Sequence, residues 1–547
     1  MPIFQRSFAR HIFIFLFLAL SCTCARSAPV QAAALTPDFS ISATSLFSET
    51  SVNLVKGSTS VPITLTVTGL RGFNLPVSIT VSDLPRCTSI NPSLSFLLAT
   101  GGSQKFTITS HSCAPTGDFT VRIQATSGSL SHQTTIVLSI NRAPRAYQKG
   151  TVLFIESYWS GHRARIGLDT AWGGAIVEAS LDGTNFVNAH DTGREVQPAL
   201  YDGAGHYDDC AGCTGVFGWD PVLGGDQYGH GSPVLEQQIL GDSLYVKSQP
   251  LQWYPDNKGG GPNQPVLADA YFEQTVSAVS GAPMAFDVHF KLSYFGTDLR
   301  YAAQQEVPAV YVNSAYRTLV YYAGTAPWTA DGMSRIAVPQ SGTSLLYAPE
   351  HWAASTDSNG VGVSVFAPSA YPYEYGISFP GGGQGSKGDS TNYQRPLSFA
   401  TFQPGTVLES DIYIVVGDVP SARAVIYGLH QTVPDLDVFP PLAMLNSPIA
   451  NALISGANVQ VSGWAFGNVA VSKVSVFVDN HYVGDASYGF DRADVSSLLP
   501  NAPVDCGWSY ALDSTQLING AHTITVHVTD TSNNETILAP VEVTVKN

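Results

Sequence analysis

The chain has 547 residues, 44% apolar and 11% aromatic, enough for several packed cores and too much for a disordered protein. Only 12% are charged, and 26 Lys and Arg against 42 Asp and Glu give a net charge of −16 with no basic cluster, which argues against nucleic acid as a partner. The 50 Gly residues, together with abundant Ser and Thr and short β-branched runs, are the composition of an extracellular β-protein.

Residues 1–34 read as an export signal: Arg6, Arg10 and His11 precede the apolar run Ile12 to Leu20, and small residues follow to Ala32-Ala33-Ala34. That run is too short to span a bilayer and no later run replaces it, so a secreted or cell-envelope protein without a transmembrane segment is expected. Ala19-Leu20-Ser21-Cys22 leaves lipidation of Cys22 open. Export would place the 7 cysteines in an oxidising compartment. Cys87 and Cys113 are expected to bridge neighbouring strands, Cys210 and Cys213 to clip a short loop, and Cys506 is left over. A metal pair or a redox pair are the alternatives for the CxxC.

Residues 35–143 alternate apolar and polar at period two in VPITLTVTGL, LPVSITVSDL, QKFTITS, DFTVRIQATSG and HQTTIVLSI, with turn residues between them. This predicts an immunoglobulin-like β-sandwich. Arg142 to Lys149 reads as a short Pro-containing linker. Residues 150–430 carry most of the aromatics and more than ten predicted strands, among them TVLFIES, MAFDVHFKLSYF and LESDIYIVVG, with no long amphipathic helix. That is a large sheet pair. Residues 440–547 repeat the first module's logic, with Asp479-Asn480 as a hairpin turn. The fold class is therefore all-β, a central sheet pair between two sandwiches, each expected to fold by itself.

Val187 to Glu236 concentrates His, Asp, Arg, Gly and the CxxC, and is expected to present a site on loops. Arg194 has the fork to hold a sugar carboxylate or hydroxyls, the alternative being a salt bridge to Glu195 or Asp191. His206 and His230 flank Asp208, Asp209, Asp220 and Asp226, and His is the side chain nearest to neutral pKa for proton transfer. No cofactor is required. The Asp set leaves a structural calcium ion open, although it lacks a fixed loop spacing, and no zinc motif occurs.

Glu306, before an apolar strand, and Glu350, in Pro349-Glu350-His351-Trp352, lie in surroundings that raise a carboxyl toward the range of an acid catalyst. The alternative for both is a structural acid at a strand end. Trp159, Trp219, Trp253, Tyr254, Trp328 and Trp352 offer rings for sugar stacking, or for core packing. Substrate contact is expected of Asp226, Trp219, Trp253, Tyr254 and Trp352.

Gly173-Gly174-Ala175-Ile176-Val177, Ser180-Leu181-Asp182-Gly183, Asn185-Phe186-Val187-Asn188, Gly193-Arg194 and Phe402-Gln403-Pro404-Gly405-Thr406 resemble the opening and the last return strand of galactose-mutarotase-like domains. The resemblance implies a β-supersandwich, a scaffold shared by sugar epimerases, glycoside hydrolases and polysaccharide lyases. Only Arg194 and His206 carry over, because the HPYFN-type strand and LEPQ-type loop of an epimerase are missing. In the last module GWAF, VFVDNHYVGDASYGFDRADV, GWSYALD and NGAHTITVHVTD resemble a bacterial immunoglobulin-like module of exported glycan-active proteins. The expected function is an exported glycoside hydrolase or polysaccharide lyase acting on a poly- or oligosaccharide. A non-catalytic carbohydrate-binding or adhesion protein is the alternative.

Overall fold

Period-two alternation dictates strands, and strands dominate the computed structural model, which describes residues 36–547 apart from 94, 189–193, 205–218, 340–341, 371, 379–390, 434–436 and 500–501. Residues 1–34, expected to be an export signal, lie outside the described residues, as do His206, Cys210 and Cys213. The architecture is all-β: a central supersandwich between two immunoglobulin-like sandwiches.

In the first sandwich a sheet of Asp38–Ser45, Ile63–Leu70, Ser103–Ser110 and Thr88–Asn91 faces one of Ser51–Val55, Leu130–Asn141, Gly117–Ser127, Val77–Ser82 and Ser95–Leu98. Alternate residues such as Val52, Leu65, Ile79, Ile123 and Leu138 fill the space between them. A Cys87–Cys113 disulfide, Cα to Cα 5.8 Å, joins the ends of the paired strands Thr88–Asn91 and Ser103–Ser110.

The central domain stacks two large sheets. The first runs Arg145–Lys149, Val152–Trp159, His162–Asp169, Ala175–Leu181, Val196–Ala199, Gln305–Asn313, Thr391–Ser398, Pro372–Ser378, Gly342–Tyr347. The second runs Val234–Ile239, Ser243–Ser248, Ala270–Ala278, Ala285–Tyr294, Val407–Asp418, Val361–Phe366, Trp352–Thr356, Thr318–Tyr321, Ser334–Ala337. Between them Ile155, Ile166, Val196, Val310 and Val312 meet Val246, Phe272, Val288, Ile412 and Ile414. Each sheet also has an outer face, and the two outer faces look in opposite directions.

Three features depart from the expectations. Arg145–Lys149 is not a linker but the edge strand of the first sheet, paired along its length with Val152–Glu156. Val419–Thr432 is a helix, hidden in the sequence because it continues directly from the apolar strand before it. Asp418 caps it by accepting from Ser421 N at 3.0 Å, and Val419, Ala422, Val425, Ile426 and Leu429 form its buried face. Thr391–Ser398 is absent from the strands expected from the sequence, since its residues are polar and include Pro396, yet it is a central strand buried at every position.

The sandwiches are not independent beads. Phe47 of the first inserts between the helix and the outer face of the second sheet, in a cluster with Trp352, Phe366, Tyr413 and Ile426. Gly428 makes this possible, since a Cβ there would collide with Leu46 O and the Phe47 ring. On the other side Leu345, Tyr347 and Phe399 of the central domain pack with Leu442 and Phe466 of the last sandwich. Backbone bonds reinforce that contact, Ala302 N to Ile537 O at 2.9 Å, with Ile537 N donating to Thr401 Oγ1 at 2.9 Å.

Candidate functional site

The outer face of the first sheet carries a charged and phenolic cluster. Strand Gln305–Asn313 changes register between Glu306 and Val310, which turns Glu306 toward Thr391–Ser398. On that neighbour Tyr393 and Arg395 share a face, and Glu374 stands directly opposite Arg395 on the next strand. Arg395 Nη1 donates to Glu306 Oε1 at 2.8 Å and its Nε to Glu374 Oε2 at 2.7 Å. The Tyr393 hydroxyl lies 3.3 Å from Glu306 Oε1 and 3.1 Å from Glu374 Oε2. One arginine and one phenol thus span two carboxylates. Tyr311 leans on the Tyr393 ring at 4.7 Å, and Gln305 fixes the Tyr201 backbone by bonds of 2.7 and 3.0 Å.

The cluster is largely shielded but not closed: Arg395, Glu306 and Glu374 keep 10%, 12% and 13% of their side-chain surface. Burial pushes the Glu306 carboxyl up, opposed by the Arg395 charge and reinforced by Glu374. Burial, then the Glu306 charge, pushes the Tyr201 and Tyr393 phenols well above their usual range. The same two causes act in opposite directions on Arg395, where the carboxylates win and hold it charged. Chemically this is a carboxyl that keeps its proton to higher pH, beside a fixed cation and hydroxyl donors.

The other expected site residues lie elsewhere. Arg194 is 1% exposed and does not face solvent. Its Nη1 donates to Gly224 O at 2.8 Å and its Nη2 to Asp226 O at 3.0 Å, while its guanidinium lies over Trp172 at 4.5 Å. It therefore clamps the Gly-rich loop. In that loop buried Asp226 accepts from the Tyr228 and His230 amides at 3.0 Å each and holds His230 Nδ1 at 2.7 Å. His230 keeps a third of its surface, so this pair presents an oriented imidazole.

Glu350 sits behind the second sheet, on the face opposite Glu306. It is 0% exposed and accepts from Trp328 N at 3.0 Å, Trp352 Nε1 at 3.1 Å, Arg423 Nη2 at 3.2 Å and Tyr427 Oη at 2.5 Å. These donors tie the helix to the sheet, so Glu350 and Trp352 are core rather than site. Trp219 is core too, 1% exposed, donating to Asp269 Oδ1 at 2.5 Å and packed on Tyr294 and Phe402. Trp253 and Tyr254 are half-buried beside Asp220, which accepts from Tyr254 N at 3.2 Å and whose charge also reaches Tyr201. Among the described residues no three His, Cys, Asp or Glu side chains converge for a metal ion.

Sequence reasoning missed Tyr201, Glu374, Tyr393 and Arg395. The signal available was the period-two alternation of Tyr373, Tyr375 and Ile377, which marks a strand with Glu374 on its other face, whereas the Gln394-Arg395-Pro396 run has no apolar period.

Residues 441–526 match the bacterial Ig domain model. The last sandwich, with its sheets Leu442–Ser447, Val459–Phe466, Gly507–Leu512, Ser487–Phe490 and Ala452–Ile454, Val541–Val545, Gly520–Asp530, Val471–Val478, His481–Asp485, is similar to that family, and Asp479 and Asn480 form its hairpin turn at φ 48° and 62°. No curated protein sequence matches the chain. Solved structures with local likeness include a polysaccharide lyase (9% identity, TM-score 0.27, 73% of this chain and 48% of that one) and a heparinase III (9%, 0.26, 59% and 40%). The endo-β-1,4-mannanase of Thermotoga petrophila is a third (17%, 0.15, 24% and 25%). These likenesses span under half of each protein, and at such TM-scores they carry neither fold nor reaction. Among the described residues no helix is long and apolar enough to cross a membrane.

Proposed function

We propose that the chain is an exported glycan-active enzyme that breaks a glycosidic bond of a poly- or oligosaccharide at the Glu306 cluster. The observation that supports this is the pair Glu306 and Glu374 spanned by Arg395 and Tyr393, with burial keeping Glu306 protonated to higher pH. Whether the bond is hydrolysed or eliminated, the departing oxygen takes a proton, and in this reading Glu306 gives it. In hydrolysis a water supplies the hydroxyl and Glu374 accepts its proton. In elimination Glu374 takes the proton from the sugar carbon next to a carboxylate while Glu306 protonates the departing oxygen, with Arg395 opposing the charge that builds on the sugar's carboxylate.

Glu306→Gln keeps the shape and the Arg395 contact, so folding should survive while turnover falls by about 10² or more. The test is a polysaccharide panel read by new reducing ends and by absorbance of unsaturated products, with melting temperature as control. A second reading, a binding protein without turnover, is favoured by the same contacts, because Arg395 and Tyr393 satisfy both carboxylates as a purely structural network would. A wild type that binds a glycan and never cleaves one, or a Glu306→Gln protein with full activity, selects that second reading.

A further inference from the structure

The first sandwich and the edge of the central domain enclose an open cleft of about 840 Å³, within the size of small-ligand sites. Its wall from the sandwich includes Gly117, Asp118 and Asn141, and its wall from the central domain is the hairpin around Ser160 and Gly161. The two walls are fixed to each other, Ser160 Oγ donating to Asp118 Oδ1 at 3.0 Å and lying 3.2 Å from Ser139 Oγ.

The acids of the cleft are already engaged. Asp118 accepts from Ser139 and Ser160, and Asp182 holds His162 Nδ1 at 2.8 Å. Glu156 is 5% exposed and accepts from Tyr147 Oη at 2.9 Å and Tyr158 Oη at 2.5 Å, with Arg163 3.6 Å away. Two of the cleft's bases are in the other condition. Arg142 and Arg145 are exposed, and their described neighbours are rings, Tyr158 at 4.0 Å and Tyr147 at 4.7 Å. Trp159, half-buried, offers an indole to the same space beside His162.

We infer that this cleft is a second glycan site, selective for sugars that carry a carboxylate. A guanidinium fork pairs with a carboxylate through two parallel bonds, and an indole covers the apolar face of a sugar ring. Rings beneath the two guanidiniums hold them extended, which lowers the cost of ordering them on a ligand. A neutral glycan would leave both forks without a partner. The inference does not rest on the Glu306 cluster, which lies further along the sheet.

The test is calorimetry on the full chain carrying Glu306→Gln, with tetragalacturonate and tetramannuronate as probes and their carboxyl-reduced forms as neutral partners. At least one acidic probe should bind, more weakly as salt rises. Arg142→Ser with Arg145→Ser should weaken it by about tenfold or more without lowering the melting temperature, and Trp159→Ala, which also loses packing on the core, should weaken it as much at a temperature well below its own melting point. Lys at both arginine positions should restore part of the loss. The site is overturned if neither acidic probe binds, if the double variant binds as wild type does, if the reduced probes bind equally, or if sodium sulfate at matched ionic strength competes as well as the sugars.

Discussion

Two half-buried carboxyls contribute to the pH response of stability. Asp287 is pushed up to about 7 by burial, with Asp411 adding and His289 opposing. Asp437 is pushed up to about 6 by burial and then by Asp530. In the unfolded chain such groups titrate near ~4, so between there and 6 to 7 the folded state binds more protons. Their contribution is complete below ~4 and is lost as pH rises through 6 and 7. The denaturation midpoint should therefore fall between pH 5 and pH 8, and Asp287→Asn with Asp437→Asn should flatten that slope. At this scale Glu306 was legible, since an acid before an apolar strand is a recognisable position. Arg395 was not, because a buried cation surrounded by polar residues reads as a surface loop until its partners Glu306 and Glu374 are seen.

At the scale of elements, the strands with clean alternation were legible almost to their ends, Ala285–Tyr294 and Val407–Asp418 among them. Thr391–Ser398 was not, because both of its faces are covered: Gln394 donates across to Val363 O at 3.3 Å on one side while Tyr393 and Arg395 serve the cluster on the other. A strand buried on both faces loses the period that betrays it. The helix Val419–Thr432 illustrates a second limit, for its role is tertiary. Glu350→Gln should leave any glycan turnover per folded molecule unchanged and lower the melting temperature, since it weakens the bonds from Arg423 and Tyr427 that hold helix to sheet. Loss of turnover at an unchanged melting temperature would return Glu350 to the site.

For the whole molecule, the sequence showed three modules but not the surfaces that join them, because contact between modules leaves no local period. Phe47 is 7% exposed in a cluster it shares with the central domain, so Phe47→Ala should cost about 3–5 kcal/mol, as other buried Phe truncations do. Gly428→Ala should perturb the same contact from the other side. Differential scanning calorimetry should show the first sandwich and the central domain melting together, and Phe47→Ala should split that transition. Two separate transitions in the wild type would mean that the shared cluster does not couple them.

The Phe47 contact also bears on how the chain is made. All strands of the first sandwich lie between Asp38 and Asn141, ahead of the central domain in the chain. The helix that covers Phe47 comes last in the central domain, so the ring stays uncovered until the end of that domain has folded against it. A chaperone that recognises exposed apolar side chains would find its target at Phe47, and release would be timed by completion of the helix rather than by folding of the module that carries the ring.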